Sequence, residues 1–293
     1  MSHSSFVPRR QRTLARAAAV SGIGYWSADD VRVEFRPAPE NSGITFIRGD
    51  LSSAPRIPAA LASRSDAARR TNLVAGEGRV EMVEHILAPL YALGIDNCEV
   101  WVDACEMPGC DGSSRDYLEA LDKAGIVEQS APRRQLKIQQ HIRLGNDNAW
   151  IEARPATGEG LTVQVRLDFR HAAAIGRQQI TRQVTPEIFR SDLASARTFI
   201  LKSEADALLL QGMCRRTTYR DLLVFDEAGP IDNPLRFPDE CVRHKALDLV
   251  GDLALAGCDI HGQVTASCAG HRMHAELVQA LLAAEQAPLK KSA

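Results

Sequence analysis

The chain has 293 residues, enough for two domains of ordinary size or one large one. Hydrophobic residues make up 45% and charged residues 25%, the balance of a soluble globular protein. A formal net charge of −2, with lysine and arginine spread along the chain, gives no electrostatic footing for a nucleic-acid partner. No run approaches the roughly 18 apolar residues that span a bilayer, and the N-terminus carries no apolar stretch before a cleavage site. A cytoplasmic protein is expected, with a small or amphiphilic substrate and no stable membrane insertion. The 7 cysteines form an odd set without a CxxC pair, so they read as small, mostly buried apolar residues rather than metal ligands.

In chain order, VRVEFR (31–36) reads as a strand, 81–93 as a helix, 97–103 as a strand and 114–124 as a helix. The polar stretch 128–134, with a proline, is the best linker. Strands follow at 135–144, 161–169 and 260–267, and helical periods at 186–196, 203–211, 241–256 and 272–285. Helices following strands in both halves predict a layered α+β protein, divided as 1–130 and 131–293. A short internal echo supports duplication: Leu90 to Asp96 (LYALGID) resembles Leu253 to Asp259 (LALAGCD), with Gly94 and Gly257 where helix ends favour glycine. The ends, 1–10 and 287–293, are expected to fray.

Two distant segments look like halves of one metal site. Glu84-His85 lies in the first predicted helix, and His244 and Asp248 sit at i and i+4 in a later one, on the same face. Two imidazoles and a carboxylate make a three-ligand catalytic zinc site with a fourth position for water, and Glu84 stands beside the first ligand as a candidate base. Each residue has an ordinary alternative. His85 is explained as a satisfied helix histidine, Glu84 as a surface acid, and His244/Asp248 as a helical charge pair. Gly270 precedes His271 at a predicted helix start, and Asp252, one turn beyond Asp248, is placed to hold His271 protonated as a general acid. His274 reads as structural or surface.

Together, FRPAPENSGITF (35–46), VEHILAPLYALGIDN (83–97), MPGCDGSSRDYLEAL (107–121), LDFRHA (167–172), ARTF (196–199), LRFPDECVRHKALDLVGDL (235–253) and GHRMHAELVQAL (270–281) resemble the UDP-3-O-acyl-N-acetylglucosamine deacetylases, zinc amidases of lipid A biosynthesis. The resemblance covers nearly the whole chain. It implies two similar β-α-α-β sandwich domains, helices packed between the sheets, with the metal at their interface. It further implies His85, His244 and Asp248 as zinc ligands, Glu84 as base, and His271 with Asp252 as the second catalytic group. Thr198 matches an oxyanion-stabilising hydroxyl. Phe199, Phe169 and Lys245 match substrate contacts. The implied substrate is an acylated UDP-sugar, the implied cofactor Zn2+ (Fe2+ suits the same donors), and a monomer is expected.

The chain departs from the family pattern at Tyr25-Trp26-Ser27, at Ile200, and at Arg216-Thr217 in the insert that forms the acyl passage, where glycines are usual. Ala149 and Cys268 stand where lysines are expected near the diphosphate. Pro89, inside the first ligand helix, removes the amide that would bond the His85 carbonyl, and a local kink is expected. Two rival readings stay open: a zinc amidase acting on another N-acylated sugar, and a non-catalytic binder of acylated nucleotide sugars. The complete set of Glu84, His85, His244, Asp248 and His271 counts against the binder.

Overall fold

Val31, Val33 and Phe35 alternate with more exposed Arg32 and Glu34 along Asp30–Pro37, so that strand buries one face. The structure, a computed structural model, describes residues 8–156 and 158–286. Asp30–Pro37 lies in a five-stranded sheet ordered Ala18–Ile23, Asp30–Pro37, Cys98–Val102, Ile44–Arg48, Arg56–Pro58. A second sheet runs Ile142–Gly145, Trp150–Arg154, Asp259–Ser267, Leu161–Phe169, Gly176–Gln183.

Among the described residues, six α-helices accompany the sheets: α1 (Glu84–Ala92), α2 (Arg115–Ala124), α3 (Pro186–Ile188), α4 (Lys202–Leu210), α5 (Glu240–Leu253) and α6 (His271–Gln286). α2 packs on the first sheet, α5 and α6 pack on the second, and α1 lies along α5 between them. The chain is thus an α+β sandwich with α1 and α5 packed together inside. Gly94 and Gly257 both take left-handed conformations, with φ of 68° and 65°, and close the helical runs ahead of Cys98–Val102 and Asp259–Ser267. The two halves meet again at Arg9, whose guanidinium bonds Asp96 (2.7 and 2.8 Å) and Asp259 (2.8 Å), the aspartates that end the two echoing segments.

Several expectations are corrected. The strand over 135–144 is two strands. Gln135–Lys137 pairs with residues 259–261, but from Gly262 onward Asp259–Ser267 is flanked by Leu161–Phe169 and Trp150–Arg154. Ile142–Gly145 therefore moves to the sheet edge beside Trp150–Arg154. The helix over 186–196 is α3 followed by a π-turn over Phe189–Leu193, where Ala194 N donates to Phe189 O (2.8 Å). The polar stretch 128–134 is mostly strand: Ile126–Pro132 pairs with Arg10–Leu14. Arg9 and Arg10 are thus held, whereas 1–7 and 287–293 lie outside the described residues. All 7 cysteines are free, but only Cys98, Cys241 and Cys258 are buried. Among the described residues no helix is long and apolar enough to cross a membrane.

Candidate metal centre and active site

The i, i+4 spacing on α5 puts His244 and Asp248 on the face toward α1, and the start of α1 brings Glu84 and His85 to meet them. Close approach of the helices depends on Gly251, which packs against the Glu84 backbone. One ligand atom from each of His85, His244 and Asp248 lies within 4.8 Å of the others, and all three residues are buried. Asp248 Oδ1 is 3.5 Å from His85 Nε2 and 3.2 Å from His244 Nε2. His244 Nδ1 donates to Ala196 O (3.0 Å), leaving a lone pair on Nε2.

These donor atoms fit a cation. Asp248 Oδ1 is buried without a hydrogen-bond partner among the described residues, and lies close to Nε2 of both histidines. Burial drives the His244 pKa down to about 3, against the pull of Asp248, so the ring is neutral and able to ligate at neutral pH. Burial alone would raise the Asp248 pKa, but His244 and Lys245 hold it well below the usual carboxylate range. Two imidazoles and one carboxylate form a donor set for a divalent metal.

Beside this triad stands a second cluster. Asp252 Oδ2 accepts from His271 Nδ1 (2.8 Å) and His274 Nδ1 (2.7 Å), and its Oδ1 accepts from Thr71 Oγ1 (2.5 Å). The Thr71 amide donates to Glu84 Oε2 (3.0 Å), and Glu84 Oε1 lies 3.8 Å from His271 Nε2. Burial raises the Glu84 pKa. Burial also opposes the His271 cation, but Asp252 and then Glu84 outweigh it and lift the His271 pKa to about 9. A carboxylate poised to take a proton therefore faces an imidazolium poised to give one.

Both groups open onto a cavity of about 860 Å³, in whose wall stand Thr198, Phe199, Phe169 and Lys245. The Thr198 backbone is fixed by its amide donating to Gly112 O (2.7 Å). Phe199 stacks edge-on with Phe169 (centroids 5.6 Å apart) and Phe225 (6.3 Å). Lys245 Nζ donates to Asp248 Oδ2 (2.8 Å) while lying 5.6 Å from the Phe199 ring centre, so its charge reaches both the Asp248 carboxylate and the ring. Ile200, Ala149 and Cys268 line the same cavity, as do Leu201, Leu208, Leu222 and Val224. His274 is buried and structural rather than on the surface.

α1 runs as one helix from Glu84 to Ala92 with Pro89 inside it. Sequence reasoning missed Thr71 and Ser114. Thr71 ties Glu84 to Asp252, and Ser114 Oγ donates to the His85 carbonyl (2.7 Å). Neither carries a local pattern that marks it; for Ser114, the missing amide at Pro89 was a signal that some donor must stand nearby.

Residues 11–283 match the family model described as UDP-3-O-acyl N-acetylglycosamine deacetylase. Proteins named UDP-3-O-acyl-N-acetylglucosamine deacetylase from Brucella ovis, Brucella canis and Brucella suis are each 38% identical over 279 residues, 94% of this chain and 96% of the relative. With the site geometry and this coverage together, the chain belongs to the UDP-3-O-acyl N-acetylglycosamine deacetylase family.

Proposed function

We propose that this chain hydrolyses the acetamide of UDP-3-O-acyl-N-acetylglucosamine, releasing acetate and a free 2-amino sugar for lipid A synthesis. The convergence of His85, His244 and Asp248 beside Glu84, in the wall of a largely apolar cavity, carries this reading. Those three side chains would hold Zn2+, which when bound polarises the amide carbonyl and acidifies water towards a pKa of ~7.

Glu84 receives the proton of the attacking water. Burial gives it the raised basicity this needs, and the Thr71 amide fixes the oxygen that is not engaged. His271, kept protonated by Asp252, delivers a proton to the departing nitrogen. The Thr198 hydroxyl stabilises the charge that develops on the carbonyl oxygen. Phe169 and Phe199 flank the sugar with Lys245 beside them, and the leucine-rich part of the cavity takes the acyl chain, excluding water as it does so.

Acetate release from UDP-3-O-acyl-N-acetylglucosamine by the purified, metal-quantified protein tests this function. Wild type is expected to release acetate, His244→Ala to be inactive, and chelation followed by zinc to restore activity. An inactive wild type with about one metal per chain would direct the site to another acylated sugar.

A further inference from the structure

We propose that Ser114 is a positioning residue for His85, its hydroxyl supplying the hydrogen bond that Pro89 removes from the ligand helix. The inference rests on His85 being a metal ligand, and goes beyond that assignment to ask what aims it.

In a regular α-helix the carbonyl of residue 85 accepts from the amide of residue 89. Pro89 has no amide, so inside α1 this buried carbonyl lacks the i+4 donor that a regular helix supplies. A buried carbonyl left unmatched is costly, and its peptide plane is free to tilt. Ser114 Oγ donates to it at 2.7 Å, and Ser114 is fully buried. Ser114 occupies the N-cap of α2, where a serine hydroxyl ordinarily accepts from its own helix, yet it makes no such cap. The neighbouring Ser113 Oγ instead accepts from the Arg115 amide (3.2 Å). The Ser114 hydroxyl is thus given to α1.

The two proposed ligand histidines are held differently. His244 is oriented through its ring, by Nδ1 donating to Ala196 O. His85 Nδ1 has no hydrogen-bond partner among the described residues. Control of His85 therefore falls on its backbone, and Ser114 holds the oxygen of that residue. Ser114 is itself fixed, its amide donating to Ala194 O (2.9 Å), two residues before the carbonyl that orients His244. One short span thereby sets both histidines against each other.

A double-mutant cycle on the full-length protein, read by zinc affinity against a chromophoric chelator and by the visible spectrum of the cobalt-loaded form, tests this. Ser114→Ala should weaken zinc binding about 10-fold or more, the range for lost outer-shell partners, and shift the cobalt bands. Pro89→Ala should bind nearly as wild type. In Ser114→Ala/Pro89→Ala, the restored amide should return affinity to within about threefold of wild type. Ser114→Cys, of similar shape with a weaker donor, should fall between and serves if the alanine variant does not fold. Unchanged zinc affinity and cobalt bands in Ser114→Ala, even with a lowered melting temperature, would overturn the proposal, as would a loss that Pro89→Ala does not rescue. A wild type that binds no metal would instead remove the assignment of His85 on which the inference rests.

Discussion

Gly251 of α5 lies against the carbonyl of Glu84 of α1: a Cβ at position 251 would stand 2.2 Å from that oxygen and 2.9 Å from its carbon. The contact is with backbone, which cannot swing aside as a flexible side chain would. Gly251→Ala should therefore push α1 away from α5, at a cost of about 1–3 kcal/mol by overpacking. It should also lower metal content, because the displaced residues carry the proposed base and ligands. Urea denaturation and metal analysis check both; a stable variant that keeps its metal contradicts the crossing.

The Arg197–Glu240 pair is almost wholly buried, and Glu240 accepts from Arg197 Nε (2.7 Å), the Arg197 amide (3.0 Å) and the Arg236 amide (2.6 Å). Removing one partner leaves the other charge stranded. Glu240→Ala should cost about 3–5 kcal/mol, and Arg197→Met/Glu240→Leu clearly less. Because Arg197 adjoins Thr198, activity should fall with the single variant. Chemical denaturation decides; similar losses in the single and double variants would contradict the pairing.

His271 gives the metal-free protein a pH dependence of known sign. Its folded pKa is raised from 6.5 to about 9, so its stabilising contribution is complete below about 6.5 and fades as pH rises through about 9. Asp252→Asn removes the group that most favours the cation, and should lower the His271 midpoint by more than about one unit. The alkaline limb of kcat should move to lower pH with it, since protonated His271 is the proposed acid. Imidazole NMR titration checks this; equal midpoints in both proteins would contradict the Asp252 role.

Much of this site was legible because helical spacing is local information. His244 and Asp248 could be put on one face of a helix from their separation alone, and Asp252 one turn further along. The long strands at Asp30–Pro37 and Leu161–Phe169 showed through their alternation. What lay hidden was set by pairing at a distance. The break between Gln135–Lys137 and Ile142–Gly145 depends on which edge of Asp259–Ser267 is already taken. Thr71 matters because folding brings it between Glu84 and Asp252, 13 and 181 residues away in sequence. Pro89 predicts a defect on sequence grounds, and only the tertiary fold supplies Ser114 to mend it.

In the proposed mechanism, Glu84 is the residue on which hydrolysis, as opposed to binding, depends. Glu84→Gln keeps the shape and leaves His85, His244 and Asp248 in place, so it should retain the wild-type metal content. The most direct measurement is acetate release from UDP-3-O-acyl-N-acetylglucosamine by wild type and Glu84→Gln, each with metal quantified. A fall in kcat of about 10²–10⁴-fold, with metal retained, is the predicted result. Equal turnover by the two proteins would contradict Glu84 as the base.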